Sequence, residues 1–137
     1  MERKVNKILL IDDSEAINFI NNYVLQELDC AREIIIKDNA EDAIAFLLHC
    51  VDNGIALPEL IFIDINMPRM DGWEFMDEYK KIDLNLRNQS LVFLLTSSID
   101  PSDMAKAKAI EEIKELRDKP IDEKLVLEIF DKYINVH

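Results

Sequence analysis

The chain has 137 residues, which is enough for one compact domain and too few for two. Hydrophobic residues make up 49% of it, so a sizeable core can form. Lysine and arginine number 16 against 28 aspartates and glutamates, and the formal net charge of −12 excludes nucleic-acid backbones and anionic membrane surfaces as expected partners.

The N-terminal segment lacks the pattern of an export signal. Its basic start is followed by a short apolar run, Ile8–Ile11, which ends at Asp12 and is too short for a signal peptide. No apolar run approaches the ~20 residues of a membrane-spanning helix. Cys30 and Cys50 fit neither a disulfide framework nor a zinc-site spacing, which favours reduced thiols. We therefore expect a cytoplasmic protein that binds no membrane.

Four short apolar runs predict β-strands. They are continuous rather than alternating, and they are rich in β-branched or aromatic residues, as in strands that are buried on both faces of a parallel sheet. The runs are Ile8–Ile11, Ile34–Ile36, Leu60–Ile65 and Leu91–Leu95. A fifth strand is predicted at Ile113–Arg117, where the charged residues favour a position at the edge of the sheet.

Segments with helical periodicity lie between these runs. The first has an apolar stripe of Ile17, Ile20, Val24 and Leu28, and further stripes cover 40–51, 73–79 and 125–133. Asp100 and Asp122 are candidate N-caps, and Pro101 suits the first position of a helix. The segment 82–90 is predicted to be a polar connection. The βα unit is thus repeated five times, which predicts an α/β fold with a doubly wound parallel sheet in one domain, 1–137.

Polar side chains occur where the predicted strands end. Asp12 and Asp13 follow the first strand, Asp64 lies near the end of the third, Thr96 follows the fourth, and Lys119 follows the fifth. Because the carboxyl ends of parallel strands form one edge, where ligands bind, we expect these side chains to converge. The second strand brings no such group, which fits a position at the edge of the sheet.

The residue types at this edge predict phosphoryl transfer. Carboxylates in one crevice repel each other and stay ionised only with a cation among them. Oxygen ligands with space for water and phosphate favour Mg²⁺. An ammonium and a hydroxyl can contact phosphoryl oxygens, and a carboxylate can act as the nucleophile.

These motifs together resemble the receiver domain of two-component response regulators. They are Asp12-Asp13, Asp64 with the later Met67-Pro68 and Asp71-Gly72, Thr96-Ser97 and Lys119-Pro120, in order over essentially the whole chain. The resemblance implies a flavodoxin-like (βα)5 fold with the strand order 2-1-3-4-5.

The resemblance also implies a role for each residue of the set. Asp64 would be the phosphoacceptor, Thr96 would contact the phosphoryl group, and Lys119 would pair with it. Mg²⁺ would be bound by Asp12, Asp13, Asp64 and the backbone carbonyl of Asn66. The family usually has Tyr or Phe three residues before the lysine, and this chain has Leu116 there. We therefore expect weaker coupling between phosphorylation and the surface near this position.

The implied partners are proteins. A histidine kinase or histidine phosphotransfer protein would donate the phosphoryl group, and a downstream protein would be the target. We expect a stand-alone receiver without an output domain, as a monomer or weak homodimer. It would be a signalling protein with autocatalysed phosphorylation and dephosphorylation, and not an enzyme.

Three other functions stay open. A small phosphatase with an aspartyl nucleophile would need a general acid two residues later, where this chain has Asn66. A flavin-binding module would need a phosphate loop after the first strand, where Asp12-Asp13 would repel the phosphate. A receiver-like module that binds partners without phosphorylation would not need the complete acidic set.

Overall fold

Five strands form a parallel sheet in the order β2-β1-β3-β4-β5. The computed structural model describes residues 3–135. Its strands are Val5–Ile11 (β1), Ala31–Lys37 (β2), Leu60–Asp64 (β3), Leu91–Thr96 (β4) and Ile113–Asp118 (β5). The predicted α/β fold and its strand order are confirmed, and β1 and β2 begin earlier than predicted.

Within residues 3–135, helices connect all the strands and follow the last one. They are Glu15–Glu27 (α1), Ala40–Asp52 (α2), Gly72–Tyr79 (α3), Leu84–Arg87 (α4), Pro101–Lys108 (α5) and Glu123–Ile129 (α6), which continues as a π-helical segment, Phe130–Ile134. The predicted caps are confirmed, since Asp100 and Asp122 accept hydrogen bonds from backbone N–H groups of their helices. No helix in this range is both long and apolar enough to span a bilayer.

The short helix α4 corrects the prediction of a polar connection at 82–90. Asp83 accepts a hydrogen bond from the N–H of Asn85 and caps this helix. A helix of four residues is too short to show a periodic apolar stripe, so its sequence does not reveal it.

The core consists of two layers, one on each face of the sheet. Successive side chains of a strand point to opposite faces, so Ile61 and Ile63 pack with α2 and α3, whereas Phe62 packs with α1 and α6. All five residues of β3 are buried. Burial on both faces explains why its sequence is apolar without alternation.

The strand β2 corrects the expectation that all four apolar runs are buried on both faces. It lies at the edge of the sheet and pairs only with β1. Its residues are half-buried or exposed, and Ile36 is 41% exposed. An apolar run therefore identified the strand but not its degree of burial.

The buried face of α1 also differs from the predicted apolar stripe. Asn18, Asn21 and Leu25 are buried, whereas Ile20 is 41% exposed. The reason is that both asparagines make hydrogen bonds to neighbouring segments, and these bonds require the amides to face inwards. The rotation of α1 thus brings polar side chains against the carboxyl edge of the sheet.

Candidate functional site

The predicted site residues lie together at the carboxyl edge of the sheet. Asp12 directly follows β1, Asp64 is the last residue of β3, Thr96 is the last residue of β4, and Lys119 directly follows β5. The strands are paired in register up to this edge. The fold therefore brings together residues from four distant stretches of chain.

The Lys119 ammonium lies between two carboxylates. Its Nζ is 3.0 Å from Asp64 Oδ2 and 3.2 Å from Asp12 Oδ2. The side chains of Asp12 and Asp64 are 3% and 2% exposed, and that of Lys119 is 13% exposed. Charges so far removed from water need partners, and these three side chains provide them for each other.

Burial and neighbouring charges shift the proton affinities of this group. Burial raises the pKa of Asp64, the charge of Asp12 adds to the rise, and the hydrogen bond from Lys119 opposes it. Burial alone would lower the pKa of Lys119, but the hydrogen bond to Asp64 and the charge of Asp12 outweigh it and raise the pKa. The ammonium therefore stays protonated at neutral pH.

Backbone N–H groups orient the other oxygen of each buried carboxylate. Asp12 Oδ1 accepts from the N–H of Ser14 at 2.8 Å, and Asp64 Oδ1 accepts from the N–H of Asn66 at 3.2 Å. Both contacts reach two residues along the chain, as in Asx-turns. Ser14, rather than Asp13, is the N-cap of α1, which leaves the Asp13 side chain exposed.

The acidic residues fit a divalent cation. One carboxylate oxygen from each of Asp12, Asp13 and Asp64 lies within 4.8 Å of the others. Among the described residues, no backbone N–H donates to the carbonyl of Asn66. Hard cations such as Mg²⁺ prefer oxygen ligands of this kind. The predicted acidic cluster is present and could hold a metal ion.

Thr96 lies at the same edge, with its hydroxyl directed to the loop after β4. Its Oγ1 donates to the carbonyl of Ser98 at 3.3 Å and accepts from the N–H of Ser98 at 3.4 Å. The carbonyl of Thr96 accepts a hydrogen bond from the N–H of Lys119 at 2.9 Å. Thr96 thus contacts the backbone of Lys119.

Gly72 permits α3 to begin directly against the end of β3. A Cβ atom at this position would lie 2.9 Å from Ile65 Cα and 3.0 Å from the carbonyl oxygen of Asp64. The N–H of Gly72 donates to the carbonyl of Ile65 at 2.8 Å. A glycine is needed here because the two backbone segments are in contact, and this contact fixes the loop that follows Asp64.

Two residues next to the site were missed by the sequence prediction. Asn18 Nδ2 donates to the carbonyl of Asp12 at 2.8 Å, and Asn21 Oδ1 accepts from the N–H of Ile121 at 2.8 Å. Their exposed fractions are 5% and 2%. Asparagines three residues apart lie on one face of a helix, and Leu25 continues that face, which is the signal that could have identified them.

The chain is similar to proteins of one family over nearly its whole length. Residues 8–131 match the family model of the response regulator receiver domain. The response regulator Rcp1 of Synechocystis sp. is 34% identical over 91 residues, which are 66% of this chain and 61% of that protein. The match therefore spans less than two thirds of this relative.

Crystal structures of response regulators have the same fold. The structure of a two component response regulator from Cytophaga hutchinsonii is 35% identical with a TM-score of 0.89, and the alignment covers 98% of this chain and 100% of that chain. The structure of the Mn²⁺-bound form of Rcp1 is 26% identical with a TM-score of 0.75, and the alignment covers 96% of each chain.

Proposed function

The chain belongs to the response regulator receiver family, and we propose that Asp64 accepts a phosphoryl group in a Mg²⁺-dependent reaction. The donor is a histidine kinase or a histidine phosphotransfer protein, and phosphorylation changes the contacts with a downstream protein. The observation that carries the proposal is the buried ion pairing of Lys119 with Asp64 and Asp12 at the carboxyl edge of the sheet.

In the proposed reaction, the Asp64 carboxylate attacks the phosphorus atom of a phosphohistidine. A P–O bond forms to a carboxylate oxygen as the P–N bond breaks, and the electron pair of that bond stays on the imidazole nitrogen. The Lys119 ammonium, 3.0 Å from Asp64 Oδ2, neutralises charge on the phosphoryl oxygens. The Thr96 hydroxyl leaves the Ser98 carbonyl and donates to a phosphoryl oxygen.

In this proposal Mg²⁺ is held by the carboxylates of Asp12, Asp13 and Asp64 together with the carbonyl of Asn66. When bound, the ion neutralises negative charge on the phosphoryl group. Two observations support this assignment. The carboxylate oxygens lie within 4.8 Å of one another, and the related Rcp1 has a Mn²⁺-bound form.

The residue two positions after Asp64 favours a stoichiometric phosphoacceptor over a phosphatase. Asn66 has no carboxyl group that could protonate a leaving group, and its side chain is exposed. We therefore expect slow hydrolysis of the aspartyl-phosphate in place of rapid turnover. The chain would act as a signalling protein and not as an enzyme.

Incubation with acetyl phosphate and Mg²⁺, followed by intact mass measurement, tests the proposal. The parent is expected to gain one phosphoryl group, Asp64→Asn to gain none, and the parent to gain none after removal of Mg²⁺. Asp77→Asn is the matched control, because Asp77 is an exposed residue of α3. It is expected to behave as the parent does.

The same experiment separates the alternative functions. A parent chain that gains no phosphoryl group would favour a binding module that acts without phosphorylation. Rapid release of inorganic phosphate without a trapped adduct would favour the phosphatase. Either result would contradict the proposal.

A further inference from the structure

The loop that carries Lys119 is fixed on both sides by hydrogen bonds. On one side, the N–H of Lys119 donates to the carbonyl of Thr96 at 2.9 Å. On the other side, the N–H of Ile121 donates to Asn21 Oδ1 at 2.8 Å. The first bond continues the pairing of β4 with β5, whereas the second comes from a side chain on α1. The Lys119 side chain extends from this fixed segment to Asp12 and Asp64.

Asn21 is an unusual choice for a buried helix position. The residue is 2% exposed, and Leu25, one turn later on the same face, packs in the apolar core. An apolar side chain would fill such a position without the free energy needed to bury an amide. The amide instead provides an acceptor for a backbone N–H one hundred positions along the chain. Its specific contribution is therefore the attachment of the Lys119 loop to α1.

We propose that Asn21 is a positioning residue, which holds the Lys119 ammonium at Asp64 by fixing the backbone at Ile121. The effect of Asn21 on the rate of phosphorylation rests on the proposed function. Its effect on the position of the Lys119 ammonium does not, and that position can be measured independently. Among the described residues, Asn21 makes no hydrogen bond to the carboxylate of Asp12 or of Asp64.

The expected effect of replacing Asn21 follows from the environment of Ile121, which is fully buried. Without the Asn21 oxygen, the Ile121 N–H loses its partner inside the protein, and the loop shifts until it finds another acceptor or water. Such a shift moves the backbone two residues from Lys119. A displacement of ~1 Å near reacting groups can slow a reaction by up to 10²-fold.

The first test measures the accessibility of Lys119 in the metal-free protein. Reductive methylation, followed by peptide mass spectrometry, reports how fast each lysine reacts. Lys119 is protected in the parent because its ammonium is enclosed by carboxylates, whereas Lys80 and Lys108 are exposed and provide internal references. We expect Asn21→Leu and Asn21→Ala to speed the methylation of Lys119 relative to the references.

Two further variants complete this test. Asn22→Ala is the matched control, since Asn22 is the next residue of the same helix. Its side chain makes no hydrogen bond to any residue within 3–135. It is expected to leave Lys119 protected. Asn21→Asp keeps an acceptor oxygen on a side chain of the same length. It is expected to retain the protection of Lys119 that Asn21→Leu and Asn21→Ala lose. Asn21→Leu keeps the branched shape and the number of side-chain heavy atoms and leaves no cavity, so it remains informative if Asn21→Ala fails to fold.

The second test measures the rate of phosphorylation by acetyl phosphate and Mg²⁺. Asn21→Leu is expected to slow the rate on the order of tenfold or more, whereas Asn22→Ala is not. In a Lys119→Gln background, the same Asn21→Leu change is expected to have little further effect, because it acts through the lysine.

The outcomes are distinct. The positioning role would be overturned if Lys119 in Asn21→Leu were methylated at the same rate as in the parent. It would also be overturned if Asn22→Ala sped the methylation of Lys119 as much as Asn21→Leu does. A further loss of rate in the Lys119→Gln background would overturn it as well. A parent chain that is not phosphorylated at all would refute the proposed function, while the methylation comparison would still decide the position of Lys119.

Discussion

The Lys119 ammonium contacts Asp12 and Asp64, but the third member of the acidic cluster, Asp13, has no ion pair among the described residues. In the metal-free protein, its charge therefore repels two carboxylates that share a single cation. This repulsion should reduce stability until a divalent ion binds, and it should disappear when the charge at Asp13 is removed.

Asp13→Asn is expected to raise the melting temperature of the metal-free protein and to reduce its response to Mg²⁺. The size of the rise is roughly 2 to 5 °C for a domain of this size. Calorimetry with and without millimolar Mg²⁺ measures both effects. Asp77→Asn is the control for loss of a single exposed charge on α3. Equal responses of the parent and Asp13→Asn to Mg²⁺ would contradict the shared site.

Gly72→Ala is expected to reduce both stability and phosphorylation. The added Cβ would press against the backbone of Asp64 and Ile65, which costs about 1 to 3 kcal/mol and displaces the loop after Asp64. Gly54→Ala is the matched control. Gly54 has a φ of +66° but open space around it, so the change costs about 1 to 2 kcal/mol without touching the site. Urea unfolding and the rate of phosphorylation separate the two variants.

At the scale of single residues, the sequence predicted the site residues that lie at or directly after the ends of strands. Asp12, Asp64 and Lys119 could be predicted because a parallel sheet collects its carboxyl ends at one edge. Asn21 could not, because the partner of a helix asparagine depends on the rotation of α1 and on a loop far along the chain. The close contact of Gly72 with the backbone of Asp64 is likewise visible only in the structure.

At the scale of elements, the charges of β5 attach the C-terminal helical segments to the sheet. Arg117 pairs with Glu115 at 3.0 Å and with Glu128 of α6 at 2.8 Å. Glu115 also accepts from the Tyr133 hydroxyl at 2.7 Å and lies 3.4 Å from Lys132 Nζ. Glu115 and Arg117, two of the charged residues that predicted an edge strand, thus have partners on the C-terminal helical segments.

The Glu115 network predicts a pH-dependent stability. Burial alone would raise the pKa of Glu115, but hydrogen bonds from Tyr133 and Arg117 outweigh it and lower the pKa in the folded state. A lowered folded pKa contributes stability above the unfolded pKa of about 4.3, and this contribution is lost as the pH falls through the folded value.

We therefore expect Glu115→Gln to be less stable than the parent at pH 7, and this difference to shrink below pH ~4. Because Glu115 is partly exposed, solvent screening limits the difference to roughly 1 kcal/mol. Urea unfolding at several pH values measures it, with Glu111→Gln as an exposed control. A constant difference down to pH ~3 would show that the charge of Glu115 does not contribute.

Leu116 predicts a small conformational response on the surface formed by α5, β5 and α6. Its side chain packs against the core layer that includes Ala107 of α5, and it has no aromatic ring that could follow a movement of Thr96. With a phosphoryl mimic and Mg²⁺, amide chemical shifts should change most near Asp64 and Thr96. Large changes centred on α5 and β5 would refute this expectation.

Elements with strong local signals were predicted, and those defined by tertiary contacts were not. Cap residues and continuous apolar runs identified the strands and the longer helices. The face of α1 and the exposure of β2 depend on neighbours, so local periodicity did not determine them. The single turn of α4 is too short to produce a periodic pattern.

At the scale of the whole molecule, the α/β class follows from the alternation of strands and helices. The strand order does not follow from it, because pairing between distant strands leaves no mark in local periodicity. The order came from the resemblance to the receiver family, and the structure confirms it. This order brings β1 and β3 side by side, and Asp12 and Asp64 extend from their adjacent ends.

The central claim, that Asp64 is the phosphoacceptor, is tested most directly by locating the phosphoryl group. Borohydride reduces an aspartyl-phosphate to homoserine, which marks the modified position in a peptide map. After incubation with acetyl phosphate and Mg²⁺, we predict homoserine at position 64 and none at positions 12 and 13. Homoserine at another aspartate, or none in a chain that gained a phosphoryl group, would contradict the account.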